Sequence, residues 1–155
     1  MIVGIGDIKI GRSPVLIRTN LGSCIGVCLY NSQLKVGGML HCMLPSAEGH
    51  KDKPGFRPTK YADSGLSELI AQLKRAYGLE PRQFTAKIFG GASMFKVVSI
   101  NIGRDNEQSV RAILKENGIP VLAFKTGGEK SYKIDFNLMN GLVSCRNIAL
   151  EAEEF

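Results

Sequence analysis

A chain of 155 residues, 44% hydrophobic and 22% charged, has globular composition and the length of one ordinary domain, expected to span 1–155. No apolar run approaches the roughly 18 residues that cross a bilayer, and the start MIVGIGDIKIGR lacks the basic-then-apolar layout of a signal peptide, so a cytoplasmic protein with no direct membrane insertion is expected. The net charge of +6 invites a nucleic-acid reading, but Lys and Arg are scattered, tryptophan is absent and no aromatic–basic interleaving occurs; no nucleic acid is expected, and the charge reads as a preference for acidic partners.

Alternating apolar residues over Ile2 to Ile10 and Val15 to Thr19 predict two strands, with Gly11-Arg12-Ser13-Pro14 between them as the turn of a hairpin. Cys24 to Tyr30 and Lys35 to Leu44 are apolar and β-leaning and read as a buried second hairpin turning at Asn31-Ser32-Gln33. That pairing would set Cys24 and His41 on neighbouring strands. Pro45 to Thr59 shows no periodicity and reads as a long loop of the kind that is often functional.

YADSGLSELIAQLKRAY carries Leu66, Leu69, Ile70, Leu73 and Tyr77 at the spacing of an amphipathic helix, stopped by Gly78. Phe84 to Phe89 is the next strand, leading into GGASMF, and a second helix is expected over Asp105 to Asn117 with Val110, Ile113 and Leu114 on one side. Pro120 to Phe124, Ser131 to Leu138 and Leu142 to Ile148 read as strands, the last two joined at Asn140-Gly141. The acidic EAEEF reads as a frayed tail. The sum is an α+β fold: mixed, mostly antiparallel β-sheet layers with about two main helices packed on the outside.

Four cysteines and two histidines are the residues with reactive potential. Cys24-x3-Cys28 followed by His41 and Cys42 matches no zinc spacing, so no metal is expected. A cysteine nucleophile needs a neighbouring imidazole or converging N–H groups to favour its thiolate. Leu21-Gly22-Ser23 ahead of Cys24 offers a turn that can aim N–H groups at one point, whereas Cys28 lies between Val27 and Leu29 and reads as core filler. His41 in an apolar strand is either the partner of Cys24 or a hydrogen-bonded core residue, and the residues alone leave both open. His50 reads as a solvated loop histidine. Gly90 and Gly91 with Ser93 fit neither phosphate-loop nor dinucleotide spacing, and place small residues where a substrate or another backbone comes close.

The segments LGSCIGVCLY, GGMLHCMLP, KYADSGL, KIFGGASMF, NIGRDN and the late TGG, taken together and in this order, resemble the CheD family, chemoreceptor glutamine deamidases of chemotaxis. The resemblance runs over about residues 1–148. It implies Cys24 as nucleophile, His41 as its partner and Thr19 as the residue orienting the histidine; Gly22, Ser23, Gly90, Gly91 and Ser93, read above from the residues themselves, are expected near the substrate and oxyanion. It implies hydrolysis of receptor glutamine amides to glutamate through a thioester, with no metal or organic cofactor. It also implies two partners, the cytoplasmic domains of chemoreceptors and the phosphatase CheC, so a non-catalytic docking module for either is the alternative. NIGRDN departs from the family's NIGxRN, because Asp105 stands where arginine is usual, and Arg104 is assigned no role.

Overall fold

The structure, a computed structural model, describes residues 1–93 and 101–148; the end of GGASMF and the EAEEF tail lie outside them. Among the described residues the chain order is β1 (Asp7–Arg12), β2 (Leu16–Leu21), β3 (Ile25–Asn31), β4 (Val36–Cys42), α1 (Ala62–Tyr77), β5 (Thr85–Gly90), α2 (Ile102–Glu116), β6 (Val121–Thr126), β7 (Tyr132–Asn137) and β8 (Val143–Asn147). This is the α+β class expected.

A five-stranded sheet, ordered β1-β4-β3-β5-β6, is antiparallel except for the parallel β5–β6 pair, and a three-stranded antiparallel sheet is ordered β2-β7-β8. The larger sheet is the middle layer. Ile25, Val27 and Leu29 of β3 point to one side and join Leu66, Leu69 and Leu73 of α1 and Val110 and Leu114 of α2 in one core. Cys28, on the opposite face, joins Ile17, Ile134 and Phe136 of the smaller sheet in a second core. Because both faces are covered, every residue of β4 is buried, which is why this stretch reads as a continuous apolar run rather than an alternation.

The expected β3–β4 hairpin forms, with Gly26 opposite His41. The first expected hairpin does not. β1 pairs with β4 in the large sheet and β2 with β7 in the small one, so the chain changes layers at Ser13-Pro14. The first strand also starts later than its alternation suggests, since Ile2 makes only an isolated bridge to Arg18 and the strand begins at Asp7.

Helix α1 ends as expected on Gly78, whose φ of +68° is the left-handed conformation that closes helices. Helix α2 begins at Ile102, three residues before the expected start, because the Asn101 side chain caps it by accepting the Arg104 N–H at 3.0 Å. The expected loop after β4 is fastened down: Asp63 accepts from Ser46 Oγ and the Ala47 N–H, each at 2.9 Å, and His50 and Phe56 lie against the Tyr61 ring. His50 is therefore half-buried rather than solvated.

Candidate active site

The three residues singled out for chemistry arrive from three elements. Thr19 is on β2, His41 near the end of β4, and Cys24 just ahead of β3. Since Gly26 pairs with His41, Cys24, two residues earlier, is the diagonal neighbour of His41 on the face turned toward the small sheet. Such diagonal pairs have Cα atoms about 7–8 Å apart and side chains within reach of one another. No hydrogen bond joins the thiol and the imidazole at rest, an arrangement that catalytic pairs often show before substrate arrives.

Hydrogen bonds decide which imidazole nitrogen carries the proton. The Thr19 hydroxyl lies 2.7 Å from the Val3 carbonyl oxygen and 2.9 Å from His41 Nδ1. A hydroxyl has one proton, and the carbonyl can only accept, so Thr19 donates to Val3 and accepts from Nδ1–H. The lone pair of His41 is then on Nε2, a buried atom with no partner among the described residues. A histidine kept for packing would have both ring nitrogens satisfied. Burial holds this imidazole down to about 4, against a smaller upward pull from the Val3 carbonyl, so it is a free base at neutral pH. Burial also pushes the Cys24 thiol up. The resting pair is thus thiol plus neutral imidazole, and the thiolate expected from the sequence arises only when His41 takes the proton.

The turn carrying Cys24 is held by its carbonyls. Gly22 C=O accepts from the Ala92 N–H and Cys24 C=O from the Gly91 N–H, both at 2.9 Å, while Ser23 C=O accepts from Asn106 Nδ2 at 3.3 Å. The N–H groups of Ser23 and Cys24 donate to nothing among the described residues. Both N–H groups are thus available as oxyanion donors. The Gly91 N–H, bonded to the Cys24 carbonyl, supports the turn. Gly90 has the same supporting role: its φ is +101°, and a Cβ there would press on the Cys24 carbonyl oxygen. Gly90→Ala should therefore cost about 1–3 kcal/mol of stability and lower activity as well, measured by denaturant unfolding and turnover on one preparation. An unchanged midpoint would argue that the turn does not depend on this close approach.

The family model for CheD chemotactic sensory transduction matches residues 43–147. Chemoreceptor glutamine deamidase CheD of Thermotoga maritima is 39% identical over 148 residues, covering 95% of this chain and 91% of that protein. The "probable chemoreceptor glutamine deamidase CheD" of Desulforamulus reducens is 41% identical over 151 residues, covering 94% and 89%. The chain belongs to the CheD family. The family model begins two residues after His41, so for this CheD chain Thr19, Cys24 and His41 are covered by the full-length relatives rather than by that match. Among solved structures, the hypothetical protein YfiH of Bacillus licheniformis superposes with a TM-score of 0.50 at 12% identity, covering 77% of this chain and 49% of that one; the likeness is one of fold.

The remaining candidates of this CheD-family chain fall outside the constellation. Cys28 and Cys42 are fully buried; burial pushes both thiols up, that of Cys42 to about 12. Ser93 is exposed at the end of the glycine segment, with its N–H donated to Gly128 C=O. No group of three or more metal-ligating side chains occurs among the described residues, and no described helix is long and apolar enough to cross a membrane. His41 also lines a cleft of about 470 Å³ with Thr19, Ile2, Ile5, Arg18 and Lys133.

Two residues of the site are absent from the sequence reading. Val3 contributes only its carbonyl, which no side-chain pattern can reveal. Asn106 left a legible signal: with Gly103, Val110 and Leu114 it occupies the buried face of α2, and an amide on that stripe needs a partner.

Proposed function

We propose that this chain, acting as one CheD-like domain in the cytoplasm, hydrolyses glutamine side-chain amides on the cytoplasmic helices of chemoreceptors to glutamate. The observation that carries the reading is the unpartnered, buried Nε2 of His41, with its proton fixed on Nδ1 by Thr19, on the same sheet face as Cys24. The names of the relatives supply the substrate.

His41 Nε2 takes the Cys24 thiol proton as sulfur attacks the carboxamide carbon, and the carbonyl oxygen becomes an oxyanion facing the N–H groups of Ser23 and Cys24. The C–N bond then breaks as His41 returns the proton to the departing nitrogen, releasing ammonia and leaving a thioester. Water, deprotonated by His41, adds to the thioester; the C–S bond breaks, Cys24 recovers its proton, and glutamate is released. The residues alone suffice for these steps. The output is a new negative charge on a receptor helix, which alters the repulsion between neighbouring helices and so their signalling balance.

The cleft supports an acidic partner. Exposed Ile2 and Ile5 offer apolar contact, and Lys133 at the rim has no ion pair among the described residues, whereas Arg18 is already paired with Asp135 at 3.3 Å. Such a rim draws an acidic amphipathic helix.

The test is incubation of the protein with a receptor cytoplasmic fragment, followed by mass spectrometry of its peptides. Each converted glutamine gains ~1 Da as nitrogen leaves and oxygen enters. No gain on any receptor offered, together with retained binding of CheC, would establish the docking module instead.

A further inference from the structure

We infer that Asn106 is the positioning residue of the nucleophile turn, fixing the Ser23–Cys24 peptide so that the Cys24 N–H faces the developing oxyanion; this rests on the deamidase reading above. Asn106 is completely buried on α2, and its Nδ2 donates to two carbonyls from different elements: Ser23 at 3.3 Å and Met43, two residues past His41, at 3.0 Å. One amide thus ties the turn bearing the nucleophile to the strand bearing the base.

The orientation follows from the planarity of the peptide unit. The Ser23–Cys24 bond is trans, so the Ser23 C=O and the Cys24 N–H point in opposite directions. Anchoring the carbonyl to α2 turns the N–H away from α2, and it meets no acceptor among the described residues. The neighbouring peptide units are held by backbone, through Ala92 and Gly91, but the Ser23–Cys24 unit is held by a side chain alone. Packing does not explain this choice of residue: Asn106 Oδ1 is buried without a partner among the described residues, a cost that an apolar side chain would avoid. A preorganised oxyanion donor is a benefit that an apolar side chain cannot supply.

The test separates orientation from folding, because alkylation of Cys24 by iodoacetamide needs the thiol but forms no oxyanion. Wild type and Asn106→Ala are compared for deamidation of a receptor cytoplasmic fragment and for the alkylation rate of Cys24. The expected result is a fall in kcat of about 100-fold, with KM and alkylation rate changed by less than about threefold. A kcat within about threefold of wild type overturns the inference, and so does a parallel loss of alkylation, which would reduce Asn106 to a structural support. If the alanine variant does not fold, the isosteric Asn106→Asp replaces it with the same expected split. The wild-type arm keeps the two readings apart: an active wild type beside an undiminished variant removes only the positioning role, whereas an inactive wild type removes the deamidase reading and this inference with it.

Discussion

On the proposed mechanism, Cys24→Ala should abolish conversion of receptor glutamine, a loss on the order of 10⁴-fold or more, because in it the sulfur forms the covalent intermediate. The other candidate thiols near the sheet are unsuitable. Cys28 and Cys42 are buried, and desolvation makes their ionisation costlier than that of a free thiol. Removing a half-buried sulfur whose backbone is held by Gly91 should leave the thermal midpoint nearly unchanged. Mass spectrometry of the receptor peptides and a melting curve on the same sample check both parts. Residual activity above a few per cent would point to a nucleophile elsewhere.

His41→Gln should lower turnover by a comparable factor, and adding it to Cys24→Ala should cost nothing further, since the two groups act as one unit. The same residue gives stability a pH dependence whose sign is fixed by its environment. The folded imidazole is held down to about 4 while the unfolded one titrates near 6.5, so between these values the unfolded chain binds more protons. Stability from this residue is therefore complete above pH 6.5 and falls as the pH drops toward 4, by up to about 3 kcal/mol. Urea unfolding at pH 7 and pH 4.5 measures the loss, and His41→Gln should show a smaller one across the same interval. Equal slopes for the two proteins would refute the buried, neutral state of the imidazole. Activity should fall over the same acid range, because a protonated Nε2 cannot accept the thiol proton.

Both expectations depend on Thr19 as much as on His41. The hydroxyl transmits the position of the Val3 carbonyl to Nδ1, and a side chain that could not accept there would free the ring to turn. The smaller sheet is thus part of the candidate site: it carries Thr19 on β2 and packs Ile134 and Phe136 against the face of β3 and β4 that carries His41.

The sequence by itself determined most of the elements and marked Cys24 as the candidate nucleophile, because both are local properties. Period-3.6 apolar spacing marks Leu66 to Leu73 as a helix face whatever it packs against, and a glycine-serine turn before Cys24 distinguishes that thiol from Cys28 in the strand that follows. The pairing of β3 with β4, which puts Cys24 diagonal to His41, was also legible, since a short polar turn between two apolar runs leaves little choice.

Only the tertiary structure decided where β1 and β2 go. Gly11-Arg12-Ser13-Pro14 suits a hairpin turn and a change of layer equally, and the choice is made by partners more than twenty residues away, β4 and β7. The same holds for the site's fine geometry. A backbone carbonyl at Val3, a buried amide at Asn106 and the N–H of Gly91 are set by which segments meet when the layers close. These contacts give His41 a fixed tautomer and leave the N–H groups beside Cys24 open, as the proposed base and nucleophile require, and no local pattern in the chain specifies them.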